Sequence, residues 1–106
     1  MKIAYIAGPY THESLFMRAI NIHEAKQVAK KYWKLGYAVI CPHMNSAHLD
    51  DYATPEHFIK SYLQILSKCD VIVMMPKWEK SKGAIEEYKY ALEKVNMTII
   101  HESKEE

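Results

Sequence analysis

The chain has 106 residues, of which 49% are apolar and 25% are charged, as expected of one globular domain with a small core. Its net charge of +1 argues against binding to a nucleic acid polymer or a membrane surface, and no apolar run is long enough to span a bilayer. We see no signal peptide pattern, and Cys41 and Cys69 lie beside apolar runs as packed, reduced thiols do, so we expect a cytoplasmic protein.

The first half of the chain alternates strand and helix patterns. Residues 3–7 form a continuous apolar run, typical of a strand buried on both faces of a parallel sheet. A turn at residues 8–12 leads into a helical pattern over residues 14–35, which Gly36 ends, and residues 38–41 predict a second strand. The helix face expected to meet the sheet consists of Leu15, Ala19, Ile22, Ala25, Ala29 and Trp33.

The second half repeats this alternation after a polar, irregular stretch at residues 43–53. A threonine followed by proline and glutamate is a strong helix start, and the pattern predicts a helix over residues 54–68. Residues 71–75 predict a third strand, residues 81–94 a third long helix, and residues 97–100 a fourth strand.

Strands that alternate with helices predict a parallel α/β sheet with right-handed crossovers. We therefore expect a single three-layer, flavodoxin- or Rossmann-like domain over residues 1–106, with about four strands in the order 2-1-3-4. Ligands of such folds bind where the strand order reverses, here between strands one and three. The turns at Gly8 and at Ser81 should then face each other across a crevice, whereas Asp70 lies at the opposite edge and is expected to be structural.

The third long helix carries a candidate for chemistry, Glu87. At about 100° per residue, Glu86 points to solvent, whereas Glu87 borders the sheet-facing stripe one turn after Gly83. An ordinary boundary glutamate would have the same spacing, so periodicity leaves both interpretations open. The expected stripe consists of Ala84, Ile85, Tyr88, Ala91, Leu92 and Val95.

Two turns could present backbone N–H groups to an anion. Ser81 is a natural N-cap and Gly83 leaves the helix terminus open, which predicts either an anion cradle or a plain cap. The Gly8 turn lacks the glycine patterns of dinucleotide sites and P-loops, so a tight strand-to-helix turn is favoured over an anion site there.

Histidines and aspartates between residues 43 and 57 suggest metal ligands, but their spacing matches no metal motif. We therefore expect no metal and a loop that lines a ligand pocket or faces water. The residues concerned are His43, His48, Asp50, Asp51 and His57.

Three stretches resemble the nucleoside 2-deoxyribosyltransferase superfamily: IAYIAGPY at residues 3–10, CDVIV at residues 69–73, and WEKSKGA at residues 78–84 followed by Glu87 and Ala91. The chain looks most like the short branch often encoded by phages and bacteria. It is also similar to the 2′-deoxynucleoside 5′-phosphate N-hydrolases. The resemblance covers nearly the whole chain.

This resemblance implies that Glu87 is a nucleophile, that Tyr5 helps to hold it, and that Ser81 contacts a phosphate. It implies cleavage or transfer of the N-glycosidic bond of a (deoxy)nucleoside or nucleoside 5′-monophosphate, with no metal or organic cofactor. With the loop residues expected at the crevice, the candidate substrate-binding residues are Gly8, Pro9, Tyr10, His12, His43, Ser81 and Gly83.

Two positions differ from the family pattern and favour a second hypothesis, a nucleotide-binding or sensing module without turnover. Tyr62 stands where the family often has a sugar-binding aspartate, and Thr11 stands where the N-hydrolases carry an arginine. We also expect a homodimer, because Tyr62, Tyr88 and Tyr90 offer aromatic surface on the second and third long helices.

Overall fold

The computed structural model describes residues 1–10 and 14–102. Its sheet has four parallel strands in the order β2-β1-β3-β4. This confirms the α/β, Rossmann-like architecture and the strand order expected from the sequence. The strands are β1 (Ile3–Ala7), β2 (Ala38–Ile40), β3 (Val71–Met74) and β4 (Thr98–His101).

Within the described residues, three long α-helices, one short α-helix and two short 3-10 helices, at Asp50–Tyr52 and Trp78–Lys80, connect the strands. Each long helix begins after a residue whose side-chain oxygen accepts a hydrogen bond from a backbone N–H in the first turn, which satisfies one of the unpaired amides there. These caps are Ser14, Thr54 and Ser81. The helices are α1 (Leu15–Lys34), α2 (Pro42–Asn45), α3 (Pro55–Leu66) and α4 (Lys82–Glu93).

Helix α2 was missed by the sequence analysis, which expected irregular chain there. Pro42 occupies its first turn, where a missing N–H costs nothing, and Asn45 N donates to Cys41 O at 3.1 Å. The helix lasts only one turn, too short for a periodic apolar pattern to mark it.

The side chains of β1 alternate between the two faces of the sheet and separate two core clusters. One cluster packs α1 on the sheet and contains Ala4, Ile6, Ala25, Ala29, Tyr32, Val71, Val73 and Met75. The other packs α3 and α4 on the opposite face and contains Tyr5, Ala7, Tyr62, Leu66, Ile72, Met74 and Ala91. The molecule therefore has the three layers that the strand and helix patterns predicted.

The expected buried faces of α1 and α4 were wrong at the helix ends. In α1, Leu15, Ala19 and Trp33 are exposed, because the buried stripe is centred on Ala25, Ala29 and Tyr32. At the end of α4, Leu92 is 60% exposed, and Val95, which follows the helix, is 96% exposed. Helix α4 ends at Glu93 and Lys94 is extended, so the helical arithmetic no longer applies at residue 95.

At the amino edge of the sheet, Asp70 Oδ2 accepts a hydrogen bond of 2.8 Å from Ile3 N. This bond ties the start of β1 to the chain that enters β3, which is a structural role, as expected. Among residues 1–10 and 14–102, no helix combines the length and apolarity needed to cross a membrane.

Candidate functional site

A cavity of about 480 Å³ opens at the carboxyl edge of the sheet. Its walls come from the turn after β1, the start of α1, helix α2 with the turn that follows it, helix α3, and the first half of α4. The cavity thus lies at the carboxyl ends of β1 and β3, where the strand order reverses, the position at which parallel α/β sheets hold their ligands.

Six of the nine candidate site residues line this cavity: Gly8, Tyr10, His43, Ser81, Gly83 and Glu87. Tyr5 is fully buried and reaches the cavity through its contact with Glu87. Pro9 contributes its carbonyl oxygen, which lies 2.8 Å from His43 Nε2. His12 lies outside the described residues.

The central contact of the site joins Tyr5 to Glu87, whose Oε2 accepts a hydrogen bond from the Tyr5 hydroxyl. Burial raises the pKa of Glu87 to about 7, and the Tyr5 hydrogen bond opposes that rise. Burial, together with the charge of Glu87, raises the pKa of Tyr5 well above its ordinary value. Tyr5 therefore stays protonated, and it acts as the hydrogen-bond donor.

The neighbouring glutamate has a different environment. Glu86 is partly exposed, rather than fully in solvent as expected, and it is not among the described residues that line the cavity. Glu87 is also partly exposed, but its surface belongs to the cavity wall. The two adjacent carboxylates therefore face different surroundings.

The N-terminus of α4 forms a second feature of the cavity. Ser81 Oγ accepts from Ala84 N at 3.2 Å, so Ser81 caps the helix. The first hydrogen bond of the helical ladder runs from Ile85 N to Ser81 O at 2.9 Å. The N–H groups of Lys82 and Gly83 precede this bond and therefore lie outside the ladder. Both interpretations of this turn are thus compatible: the cap is present, and the Lys82 and Gly83 N–H groups beside the cavity have no partner in the part of the chain that the structure describes.

Two glycines of the site have opposite surroundings. A Cβ added to Gly8 would lie 2.6 Å from Met75 Sδ and 2.7 Å from Met75 Cβ, closer than packed atoms come. A Cβ added to Gly83 would have no heavy atom of the described residues within 4 Å, apart from the chain neighbours and the backbone of its own helix. Gly8 is therefore required by packing between β1 and the end of β3, whereas Gly83 keeps open space in front of the α4 terminus.

A polar network that the sequence analysis missed closes the other side of the cavity. Asp50 Oδ1 accepts from the Tyr10 hydroxyl at 2.9 Å, and Asp50 Oδ2 accepts from Arg18 Nη1 at 2.8 Å. Asp50 is among the residues expected to line a ligand pocket or face water, and Arg18 is the single arginine of the chain, but no local pattern pairs the two. No group of three or more His, Cys, Asp or Glu within the described residues could hold a metal ion.

His43 is buried and holds the turn after β1. Its Nε2 donates to Pro9 O at 2.8 Å, and burial lowers the pKa of the imidazole, which keeps the ring neutral. Its Nδ1 is buried without a hydrogen-bond partner among the described residues.

Apolar side chains of α3 form the remaining wall, to which Phe58 and Ile59 contribute. Tyr62 also lines the cavity, but its hydroxyl bonds within the chain, to Ser46 Oγ at 2.8 Å. Tyr88 packs against Trp78, with ring centroids 4.5 Å apart. Of the three tyrosines expected at a dimer interface, Tyr62 and Tyr88 therefore make their contacts within their own chain.

The chain matches the model of a known protein family. The model of the family described as "Domain of unknown function (DUF4406)" matches residues 1–101. No curated protein matches the chain. The description of the family names no activity.

Proposed function

The chain belongs to the DUF4406 family, and we propose that it cleaves or transfers the N-glycosidic bond of a (deoxy)nucleoside or nucleoside 5′-monophosphate, with Glu87 as the nucleophile. The observation that carries this proposal is the hydrogen bond from Tyr5 to Glu87 at a cavity that also holds an open helix N-terminus. A carboxylate held in this way is a suitable nucleophile for an anomeric carbon, and the helix terminus suits a phosphate.

In the first step, Glu87 Oε1 attacks C1′ as the bond from C1′ to the base nitrogen breaks. The base leaves with the electron pair of that bond and takes a proton from solvent, and a glycosyl ester remains on Glu87. Water, or the nitrogen of another base, then attacks C1′ and releases the carboxylate. In either case the proton of the attacking water or of the attacking base nitrogen passes to solvent.

Tyr5 supports the first step in two ways. Its hydroxyl occupies Oε2, which leaves Oε1 to react, and its hydrogen bond favours the ionised carboxylate over the neutral acid. Burial opposes this effect, and the resulting pKa of about 7 leaves about half of the Glu87 side chains ionised at neutral pH. A partly desolvated carboxylate is also a stronger nucleophile than a fully hydrated one, because less water must be displaced.

A 5′-phosphate would lie at the start of α4. The amides of Lys82 and Gly83, the positive end of the helix dipole and the side chains of Lys80 and Lys82 all favour an anion there. Ser81 accepts from Ala84 N and retains its own hydroxyl hydrogen, which it can donate to a phosphate oxygen. This arrangement favours the monophosphate over the free nucleoside.

The test is release of free base from 2′-deoxynucleoside 5′-monophosphates and their nucleosides, followed by chromatography. A covalent intermediate adds the mass of the sugar phosphate to the protein, which intact-protein mass spectrometry after rapid quenching detects. Glu87→Gln is the inactive control. Glu86→Gln is the matched variant, because it removes the same charge at the adjacent position of the same helix.

The alternative is a nucleotide-binding or sensing module on the same fold, without turnover. The raised pKa of Glu87 favours it, because the neutral form of the carboxyl cannot act as a nucleophile. Binding of nucleotides without base release at any pH up to 9 would identify this alternative.

Two further properties belong to the same proposal. We expect the protein to act in the cytoplasm, since Cys41 and Cys69 are free thiols, as is usual in a reducing compartment. We also expect a homodimer, for which Tyr90, partly exposed on α4, remains a candidate contact.

A further inference from the structure

We infer that Asp50 selects the base of the ligand: its carboxylate accepts hydrogen bonds from adjacent N–H groups on the base edge remote from the sugar, as guanine presents them. This inference rests on the proposed function, because it takes the ligand to be a nucleotide. It adds a specificity residue on the side of the cavity opposite to Glu87.

Position is the first argument. Asp50 belongs to the chain that follows β2 and is bonded to α1, whereas Glu87 and the phosphate-binding end of α4 follow β3. Because β1 lies between β2 and β3, the two carboxylates approach the cavity from opposite sides. A nucleotide with its phosphate at α4 and C1′ beside Glu87 would then direct its base toward Asp50.

Two cavity residues hold the Asp50 carboxylate in place, which is the second argument. Arg18 Nη1 lies 2.8 Å from Asp50 Oδ2 and forms an ion pair with it beside the cavity. The Tyr10 hydroxyl and Arg18 each bind one oxygen, so the orientation of the group is set before a ligand arrives. Two carboxylate oxygens have about four acceptor positions, so each retains capacity for one more donor.

Access is the third argument. The Asp50 side chain is 38% exposed and lines the cavity, so a ligand can reach it without displacing the chain. The wall formed by Phe58 and Ile59 is apolar and suits the faces of a planar base. A carboxylate that accepts hydrogen bonds from a ligand discriminates against an analogue that lacks one of the donors, because that hydrogen bond is then lost.

The test measures binding by calorimetry for the wild type, Asp50→Asn and Asp51→Asn. Asp51 is the matched control, since it is the adjacent carboxylate and is exposed outside the cavity. The ligands are 2′-deoxyguanosine and 2′-deoxyinosine 5′-monophosphates, which differ by the 2-amino donor, and guanosine 5′-monophosphate, which adds a 2′-hydroxyl. We expect the wild type and Asp51→Asn to prefer deoxyguanosine over deoxyinosine monophosphate at least tenfold.

Asp50→Asn should lose this preference and keep the affinity for deoxyinosine monophosphate, which shows that the cavity is intact. Equal preference in wild type and Asp50→Asn overturns the inference, as does a loss of affinity for both deoxynucleotides alike. If Asp50→Asn changes only the ratio of affinities for 2′-deoxyguanosine and guanosine 5′-monophosphates, Asp50 contacts the sugar, and the inference is overturned. If Asp50→Asn loses the preference while the wild type releases no base, the result supports the inference and counts against the proposed catalysis. If the wild type binds no nucleotide, both the inference and the proposed function are overturned.

Discussion

The hydroxyl of Tyr5, in the middle of the first strand, donates a hydrogen bond to the carboxylate of Glu87, which lies 82 residues later in the fourth helix. Tyr5 is fully buried, whereas Glu87 reaches the cavity wall. The pair thus connects the centre of the sheet to the cavity. It also distinguishes Glu87 from Glu86, which has the same chemistry and a different environment.

Glu87→Gln should lower the rate of base release by several orders of magnitude, because the amide keeps the shape but cannot capture the sugar. Glu86→Gln should retain activity close to that of wild type, since substitutions away from the site have small effects. The measurement is base release by chromatography, with circular dichroism as the check on folding. An inactive Glu86→Gln beside an active Glu87→Gln would contradict the assignment.

On the proposed mechanism, the pH dependence of kcat/KM should report the ionisation of Glu87 in the free enzyme. Only the carboxylate reacts, so kcat/KM should rise with pH and reach half its maximum near pH 7, the value to which burial raises the pKa. Tyr5→Phe removes a hydrogen bond that lowers this pKa, and the rising limb should therefore move to higher pH. A limb that stays in place, or moves to lower pH, would show that Tyr5 does not tune Glu87.

Ser81→Ala should weaken binding of a 5′-monophosphate more than binding of the matching nucleoside. The substitution removes both the cap on Ala84 N and the hydroxyl donor, but only the monophosphate loses a direct contact. Calorimetry with both ligands separates the two roles. Equal losses for the two ligands would mean that Ser81 acts only as a cap.

Gly8→Ala and Gly83→Ala should have opposite effects. The methyl group at residue 8 would overlap Met75, and overpacking of this kind costs about 1–3 kcal/mol of the free energy of unfolding. The methyl group at residue 83 meets no atom, so the fold should keep its stability while monophosphate binding weakens. Urea unfolding measures the first effect and calorimetry the second, and a stable Gly8→Ala protein would argue against the packing role.

Sedimentation velocity at micromolar concentration should give twice the mass of the chain. Large apolar side chains remain exposed at the end of α1, where Trp33 and Leu35 are 58% and 61% exposed, and association with a second copy would cover such surface. Trp33→Glu is the informative variant if this end is the contact, because it places a charge there without touching the cavity. A monomer across the micromolar range would be evidence against the homodimer.

The elements themselves could be predicted because their determinants are local in sequence. Continuous apolar runs marked β1 and β3, Thr54 and Ser81 marked helix starts, and Gly36, with φ of 97°, marked the end of α1. The alternation of these elements then determined the parallel sheet and its order. Helix periodicity also separated Glu87 from Glu86, since that difference is one of angle alone.

The composition of the site depended on contacts between distant residues. Spacing along the chain does not specify that Tyr5 bonds to Glu87; family resemblance suggested this contact, and the packing of α4 on the sheet brings the two groups together. Asp50 and Arg18 had no local pattern, because an ion pair between a loop and a helix depends on tertiary packing. Strand and helix formation follows from interactions among neighbours in sequence, whereas these partners are selected by distances of a few ångströms that only the folded chain defines.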